Sequence, residues 1–493
     1  MTAPVQGPGT ASPVTAKAPG ASAALAWSLL NTGVAKLGTL GIGILLARIL
    51  GPDSYGTFAV AMVALLAVLT FNELGVSLAI VRWPGDPADI APTVTTISIL
   101  SSCLFCLAGL WAAPWFAAAM GDPDAAGVVR LMVCCVPISG VVATPAALLQ
   151  RSFDQKTKMA IDQVNVWLGA VISIVLALAG FGAMSLAIGR LAGTVVSGIM
   201  FVVKSPLPLR AGLDRKLLKP LLGFGLPLAG TSIIVFCLGY FDQLVIGNLL
   251  GPTMLGLYVL AFNLASWPVS VLSQPLRSVA PAALARLQHD PPRMRATVTA
   301  LTGVLTAVTF PAVTLLAIQA GPIVQFVYGD AWAGAAAALT WLAMLAGLRI
   351  FFELIYDYLV VVGLTGSILT IQVCWLVALV PALLLGAADG IAGIARAQFL
   401  VAAAVVLPIY LWRLRTAGIG PARMLRQGWL PALCSALLSG FAILVDRAGL
   451  QPPFAQLISA AAAIAMMAGL LWIKRADISM LKAMGRSGGL DDD

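Results

Sequence analysis

With 493 residues, of which 60% are hydrophobic and only 10% charged, and a mean hydropathy of +0.98, the chain cannot be a soluble globular protein, because such proteins carry charge on about a quarter of their residues. It reads as a polytopic membrane protein. The net charge of +9 lies in basic residues between apolar runs rather than on a nucleic-acid-reading motif, so nucleic acid is not an expected partner.

Residues 1–21 are rich in Pro, Ala, Gly and Ser and lack the apolar core of a signal peptide, which predicts a disordered cytoplasmic tail. About 20 apolar residues cross the hydrocarbon core as a helix, and on that rule fourteen spans follow. An N-lobe over 22–204 holds six: 22–50, 55–81, 90–120, 126–149, 160–182 and 184–203. A basic cytoplasmic linker covers 205–220. A C-lobe over 221–413 holds six more: 221–250, 254–284, 296–320, 333–362, 367–385 and 391–411. A C-terminal helix pair within 427–474 spans 429–445 and 454–473, and 475–493 reads as a cytoplasmic tail ending in the acidic GLDDD. The expected fold class is therefore all-α and polytopic, with about 14 transmembrane helices in two parallel six-helix lobes plus a C-terminal helix pair.

Loop charges orient the spans. With both termini cytoplasmic, most of the 29 Lys and Arg residues fall inside, including Arg151, Lys156, Lys158 and the run from Lys204 to Lys219. The opposite loops carry Asp53, Asp122, Asp124, Asp330 and Asp389. Trp27, Trp83, Trp111, Trp115, Trp412 and Trp472 lie near predicted span ends, where an aromatic belt belongs.

The chain also repeats itself. ILLARILGPDSYGTFAVA from Ile44 returns 200 residues later as LVIGNLLGPTMLGLYVLA, with Leu50/Leu250, Gly51/Gly251, Pro52/Pro252, Gly56/Gly256 and Ala61/Ala261 identical and Phe58 matched by Tyr258. SLAIGR ending at Arg190 parallels IAGIAR ending at Arg396. An even number of spans between the copies gives the halves the same orientation, and in transporters built from such halves the site lies between them.

A charge at a helix centre costs about 2.5 to 3.5 kcal/mol on insertion scales, so charged residues within spans face partners or water. Lys36, with Asn31 a turn earlier, is a candidate cation for an anionic substrate or a structural partner for Glu73 or Asp242. Arg277, beside Ser273 and Gln274 in a span with Pro268, Pro275 and Pro281, suits a bending cavity helix or plain packing. Arg349, Glu353 and Asp357 share one helix face at i, i+4, i+8, as cavity groups or as internal pairs. The candidate substrate-binding residues are thus Lys36, Asn31, Arg277 and Arg349; the ion-coupling candidates are Asp242, Glu353, Asp357 and Glu73. Arg190 and Arg396, nearer span ends, are expected to snorkel.

The seven cysteines all fall within apolar runs, and the CxxC of Cys103 and Cys106 reads as small packing residues. No metal site, cofactor or catalytic residue is expected: there is no phosphate-binding P-loop, no HExxH and no nucleophile elbow, and the single histidine, His289, lies in a predicted loop. An enzyme is therefore not the expected reading.

These motifs resemble the polysaccharide (Wzx-like) flippases of the multidrug, oligosaccharidyl-lipid and polysaccharide (MOP) exporter superfamily. The matching segments are ARILGPDSYGTFAVA, ELGVSLAIVR, LLQRSF, LALAGFGAMSLAIGRLAG and FDQLVIGNLLG with the long stretch through Asp290. The resemblance implies a MATE/MOP-like fold of two lobes around a V-shaped cavity. It also implies alternating access and export of a polyprenyl-diphosphate-linked oligosaccharide across the cell membrane, as in lipopolysaccharide or exopolysaccharide biosynthesis. Membrane lipids, a coupling proton or sodium ion, and glycan polymerase or assembly proteins are the partners so implied. A multidrug cation antiporter of the same superfamily is the alternative, and a non-transporting membrane scaffold a third reading. Arg349, Glu353 and Asp357 depart from the pattern of that resemblance.

Overall fold

The computed structural model describes residues 21–72, 76–268, 284, 287–288, 290–448 and 452–487, with side chains described from Gly38 onward except at a few further helical positions. The chain divides into two units, residues 1–43 and 44–493, and every contact given below lies within the second.

In chain order the helices are α1 (Ala21–Asn72), α2 (Ser77–Arg82), α3 (Pro87–Ala119), α4 (Ala126–Val133), α5 (Cys135–Arg151), α6 (Gln155–Leu178), α7 (Ala183–Val203), α8 (Arg215–Leu250) and α9 (Pro252–Pro268). There follow α10 (Pro291–Ile318), α11 (Ala320–Tyr328), α12 (Ala335–Val361), α13 (Thr365–Gly386), α14 (Gly390–Val401), α15 (Leu407–Thr416), α16 (Pro421–Arg447), α17 (Pro452–Ile473) and α18 (Arg475–Ser487). A π-helical turn, Ala402–Val406, joins α14 to α15. No strand occurs among the described residues. Helices suit lipid because every backbone N–H then bonds within its own segment; the other solution is a closed barrel.

Eleven helices among the described residues are long and apolar enough to cross a membrane, so the chain is a multi-pass membrane protein. The expected count of fourteen is higher for three reasons. Gly38–Thr70 is a single segment although its helix breaks at Gly51, Gly366–Thr416 likewise runs through the Gly390 turn, and the described part of α9 has only 17 residues.

Glycine is obligatory at two of the breaks. Gly51 (φ 70°, ψ 173°) and Gly251 (φ 86°, ψ 175°) share a backbone region open essentially to glycine alone. Each is followed by a proline, Pro52 or Pro252, whose ring fixes φ and whose missing N–H costs nothing at the start of a helix. The repeated LGP is thus a stop-and-restart signal written into the backbone.

Small residues let helices touch. A Cβ on Gly189 of α7 would strike Ser173 Oγ and the Gly169 carbonyl of α6, and one on Gly193 would lie 2.5 Å from the Asn165 carbonyl. Close approach of this kind replaces the hydrophobic drive that lipid removes. At the end of the bundle that carries the basic loops, Arg151 donates to the carbonyls of Ile80 (2.7 Å), Trp83 (2.6 Å) and Gly85 (2.9 Å), satisfying groups left over as α2 ends. Asp154 caps α6 there, and the Thr157 hydrogen bonds hold its carboxyl below the usual carboxylate range.

Within the expected cytoplasmic tail, residues 475–487 form α18, whose Leu481 packs against Leu301, Leu305, Ile350 and Leu354. The helix is amphipathic, and Leu481 seats it on α10 and α12.

Candidate functional site

The two LGP turns meet one another. Gly56 and Gly256, one turn after each proline, stand backbone to backbone. A Cβ on Gly256 would lie 2.6 Å from the Pro52 carbonyl oxygen and 2.9 Å from Gly56 N, and one on Gly56 would overlap the Pro252 carbonyl. Side chains tie down the rim of this contact. Thr253 Oγ1 donates to Asp53 Oδ1 at 2.6 Å, Thr57 Oγ1 to Asp122 Oδ2 at 2.7 Å, and Asn248 Nδ2 to the Ala119 carbonyl at 2.6 Å. Arg48 reaches across to α11, where Nε donates to Val327 O (2.6 Å) and Nη2 to Phe326 O (2.5 Å). Those carbonyls belong to the last turn of a helix, the negative end of its dipole. Tyr55 meets the buried Trp332 edge-on at 5.5 Å. This end of the bundle is closed.

Away from the closure the helices part. A cleft of about 560 Å³ is lined by Leu66, Leu69 and Thr70 of α1, Ser77 and Leu78 of α2, and Thr231, Ser232, Phe236 and Tyr240 of α8. A second, more polar cleft of about 380 Å³ shares Ser77 and Leu78 with it and is lined by Ser139 and Gln150 of α5, Asp162 and Asn165 of α6, and Thr194 and Ser197 of α7. Hydroxyl and amide groups thus line open space between apolar helices, whereas against lipid they would be costly.

Asp242 of α8 lies two residues beyond Tyr240, which lines the first cleft, and is 4% exposed, on another side of the helix. Its carboxylate is held from three sides: Tyr258 OH donates to Oδ2 at 2.5 Å, Gln398 Nε2 donates to the same oxygen at 2.7 Å, and Gln243 N donates to Oδ1 at 2.8 Å. Gln398 Nε2 also lies 2.7 Å from the Tyr258 hydroxyl, so α8, α9 and α14 are joined by one polar cluster. Arg349 of α12 is within electrostatic reach of Asp242 and stacks over the Phe262 ring at 5.4 Å. Hydrogen-bond donors to both oxygens are what make a buried carboxyl tolerable inside a bundle.

The structure treats the sequence candidates unequally. Asp242 and Arg349 lie within electrostatic range of each other, Arg349 making its ring contact with Phe262. Asp357 is buried and Glu353 half-buried on the same helix as Arg349, each with an interaction of its own. Glu73 and Arg277 lie outside the described residues, as do the side chains of Asn31 and Lys36, whose backbone belongs to α1. Arg396 pairs with Asp389 at the start of α14. Among the described residues no group of His, Cys, Asp and Glu is placed to hold a metal ion.

Tyr258 and Gln398 were not singled out by the sequence. Their signal lies in the repeat. Tyr258 matches Phe58, Asp242 matches Ile42 and Gln398 matches Ala192, so every member of the cluster is apolar in the other copy. A hydroxyl gained at a repeated aromatic was the visible trace of a site built in one half only.

Comparison with known proteins agrees with this architecture. Residues 45–337 match the family described as "Polysaccharide biosynthesis protein". The chain is 27% identical over 392 residues to the succinoglycan biosynthesis transport protein ExoT of Rhizobium meliloti (strain 1021), covering 78% of each chain. It is 24% identical over 312 residues to the lipopolysaccharide biosynthesis protein WzxC of Escherichia coli (strain K12), covering 62% of this chain and 63% of that one. Among solved structures, the lipid II flippase MurJ in an inward closed conformation matches with TM-score 0.75 at 13% identity, covering 91% of this chain and 99% of that one. An inward-facing multidrug resistance MATE family transporter of the MOP superfamily matches with TM-score 0.62 at 16% identity, over 78% of this chain and 94% of that one. The fold is therefore the MOP fold, and the chain belongs to the polysaccharide biosynthesis protein family.

Proposed function

We propose that the protein is a flippase that carries a polyprenyl-diphosphate-linked oligosaccharide from the inner to the outer leaflet of the cytoplasmic membrane by alternating access. The observation that carries this reading is the pairing of a bundle end closed by the repeated LGP turns with a polar-lined cleft leading away from it. Sugars present many hydroxyls, which Ser, Thr, Asn and Gln side chains match, and a polyprenyl tail can stay in lipid while the head group uses the cleft. Relatives named for succinoglycan transport and lipopolysaccharide biosynthesis, and a lipid II flippase among similar folds, support the substrate class.

In this reading both termini are cytoplasmic, the LGP end faces outward, the lobes cover 22–204 and 221–413, and 427–474 forms an added helix pair. Lys36 and Arg349 are the proposed cations for the diphosphate, with Asn31 and Arg277 as further candidate binding residues. Support for Lys36 comes from the repeat, in which it matches Phe236, a cleft residue. Asp242 is the leading coupling residue for a proton or sodium ion, with Glu353, Asp357 and Glu73 behind it. An anion leaving a negative-inside cell also gains about 2.3 kcal/mol per charge per 100 mV. Polymerase or assembly proteins would take the product at the outer face.

The test is to delete the protein, extract the lipids and identify what accumulates. A polyprenyl-linked sugar should build up on the inner leaflet and be cleared by the wild-type chain, but not by Lys36→Ala or Arg349→Ala variants present at normal membrane levels. Absence of any such intermediate would refute the flippase reading, and full complementation by both variants would remove their role in binding.

A further inference from the structure

A third cleft, separate from the first two, opens between α10, the start of α16 and the junction of α17 with α18. It has a volume of about 480 Å³ and is lined by Arg423, Arg426 and Lys474, with Asp477 as its one acid. Three cations against one carboxylate leave a surplus of positive charge in an open cleft. Lys474 is the most enclosed of them, its side chain 14% exposed; Nζ donates to Gln427 Oε1 and stands 3.8 Å from Asp477 Oδ2. Asp477 thus meets only part of the charge. The first turn of α16 carries no acidic residue, so the positive end of its dipole adds to the same field.

The depth of this cleft sets the kind of anion. Trp429, 58% exposed, lines it, and Trp472, 66% exposed, lies two residues before Lys474 with the Arg475 guanidinium over its ring at 4.9 Å. Exposed tryptophans beside cations at the ends of apolar helices mark the boundary between hydrocarbon and water. A soluble anion has no need of an exposed indole there, whereas a phospholipid lays its acyl chains along the apolar helix and its phosphate among the cations.

We propose that this cleft binds the headgroup phosphate of an anionic phospholipid from the leaflet on the basic side of the protein. The lipid would tie the C-terminal helix pair to α10, because Thr299 of α10 and Gln427 of α16 line the same space. The proposal does not depend on what the larger cleft carries.

Native mass spectrometry of the full chain with phosphatidylglycerol, cardiolipin or phosphatidylcholine tests it, alongside thermal unfolding in the same lipids. The wild type should retain the anionic lipids and unfold at a higher temperature with them. An Arg423→Gln, Arg426→Gln, Lys474→Gln variant should bind them on the order of 100-fold more weakly, since each basic residue near an anionic surface is worth about fivefold. The double variant that keeps Lys474, and with it the Gln427 contact, should lose about 30-fold on the same reckoning. An equal charge removal at exposed sites off the cleft, Arg215→Gln, Lys216→Gln, Arg415→Gln, should leave retention unchanged. Equal loss in that control would mean a diffuse basic face, and no preference of the wild type for anionic lipid would remove the site. Complete displacement of the lipid by inorganic phosphate would assign the cleft to a free anion; each of these results overturns the proposal.

Discussion

The two ends of the bundle are held by different chemistry. At the LGP end, backbones touch through Gly56 and Gly256 and short hydrogen bonds cross between segments about 65 to 280 residues apart in sequence. At the basic end, by contrast, long side chains such as Arg151 stitch neighbouring loops of one half, and open clefts run between helices. The closed end therefore depends on geometry that admits no extra atom, and the other end on flexible charged groups. A transporter of this design would open first where contacts are few and specific, and the difference can be tested by breaking each end separately.

The largest effect on closure is expected from Gly256→Leu. Its side chain would drive into the Pro52 carbonyl, at about 1–3 kcal/mol for overpacking. Labelling of a cysteine placed at the fully buried Ala61, in a chain whose native cysteines are replaced, should rise sharply with a membrane-impermeant maleimide. Unchanged labelling of a correctly inserted variant would show that the glycine contact does not hold this end shut. Next comes Arg48→Ala, which removes two charge-assisted hydrogen bonds from the end of α11. Arg48 is exposed, so solvent screening leaves about 1 kcal/mol and roughly a fivefold rise in labelling. Arg151→Ala at the opposite end should lower thermal stability by about 1.5–3 kcal/mol and leave labelling at Ala61 untouched. A rise there would erase the distinction between the ends.

Thr253→Val, which removes the exposed bond to Asp53, should alter closure by only about 0.5–1 kcal/mol. Asp242→Asn should have the least effect on closure, because an amide retains an acceptor for Tyr258. Its signature is instead loss of dependence on a proton or sodium gradient in a transport assay. Retained dependence would rule Asp242 out as the coupling residue, whatever the rate.

Much of the fold was legible because a bilayer leaves few options. Apolar runs of about 20 residues become helices, and a Gly-Pro pair between two runs becomes a break. The repeat also pointed to Gly51 and Gly251. What it did not reveal was that the two copies contact each other, because contact between distant segments leaves no local pattern. The Asp242 cluster was half legible: a carboxylate inside a span announces itself, but neutral partners 16 and 156 residues away do not. The helical form of α18 left no such signal in the sequence. Its polar and charged residues, spread among a few apolar ones, resemble a solvated tail, and only the partners of Leu481 show that it is docked.

The contact between Gly56 and Gly256 has the form of an isologous interface, in which one patch meets its own copy across a two-fold axis. A fused duplicate that keeps such a joint behaves as a dimer whose subunits can never dissociate. Neither copy can withdraw while the other stays, so the joint has no half-open state, and its release is a single cooperative event. The same constraint binds evolution: a change in one LGP turn is felt at once by its twin. Residues further from the joint, Asp242 against Ile42 and Gln398 against Ala192 among them, are free to diverge and take on separate work.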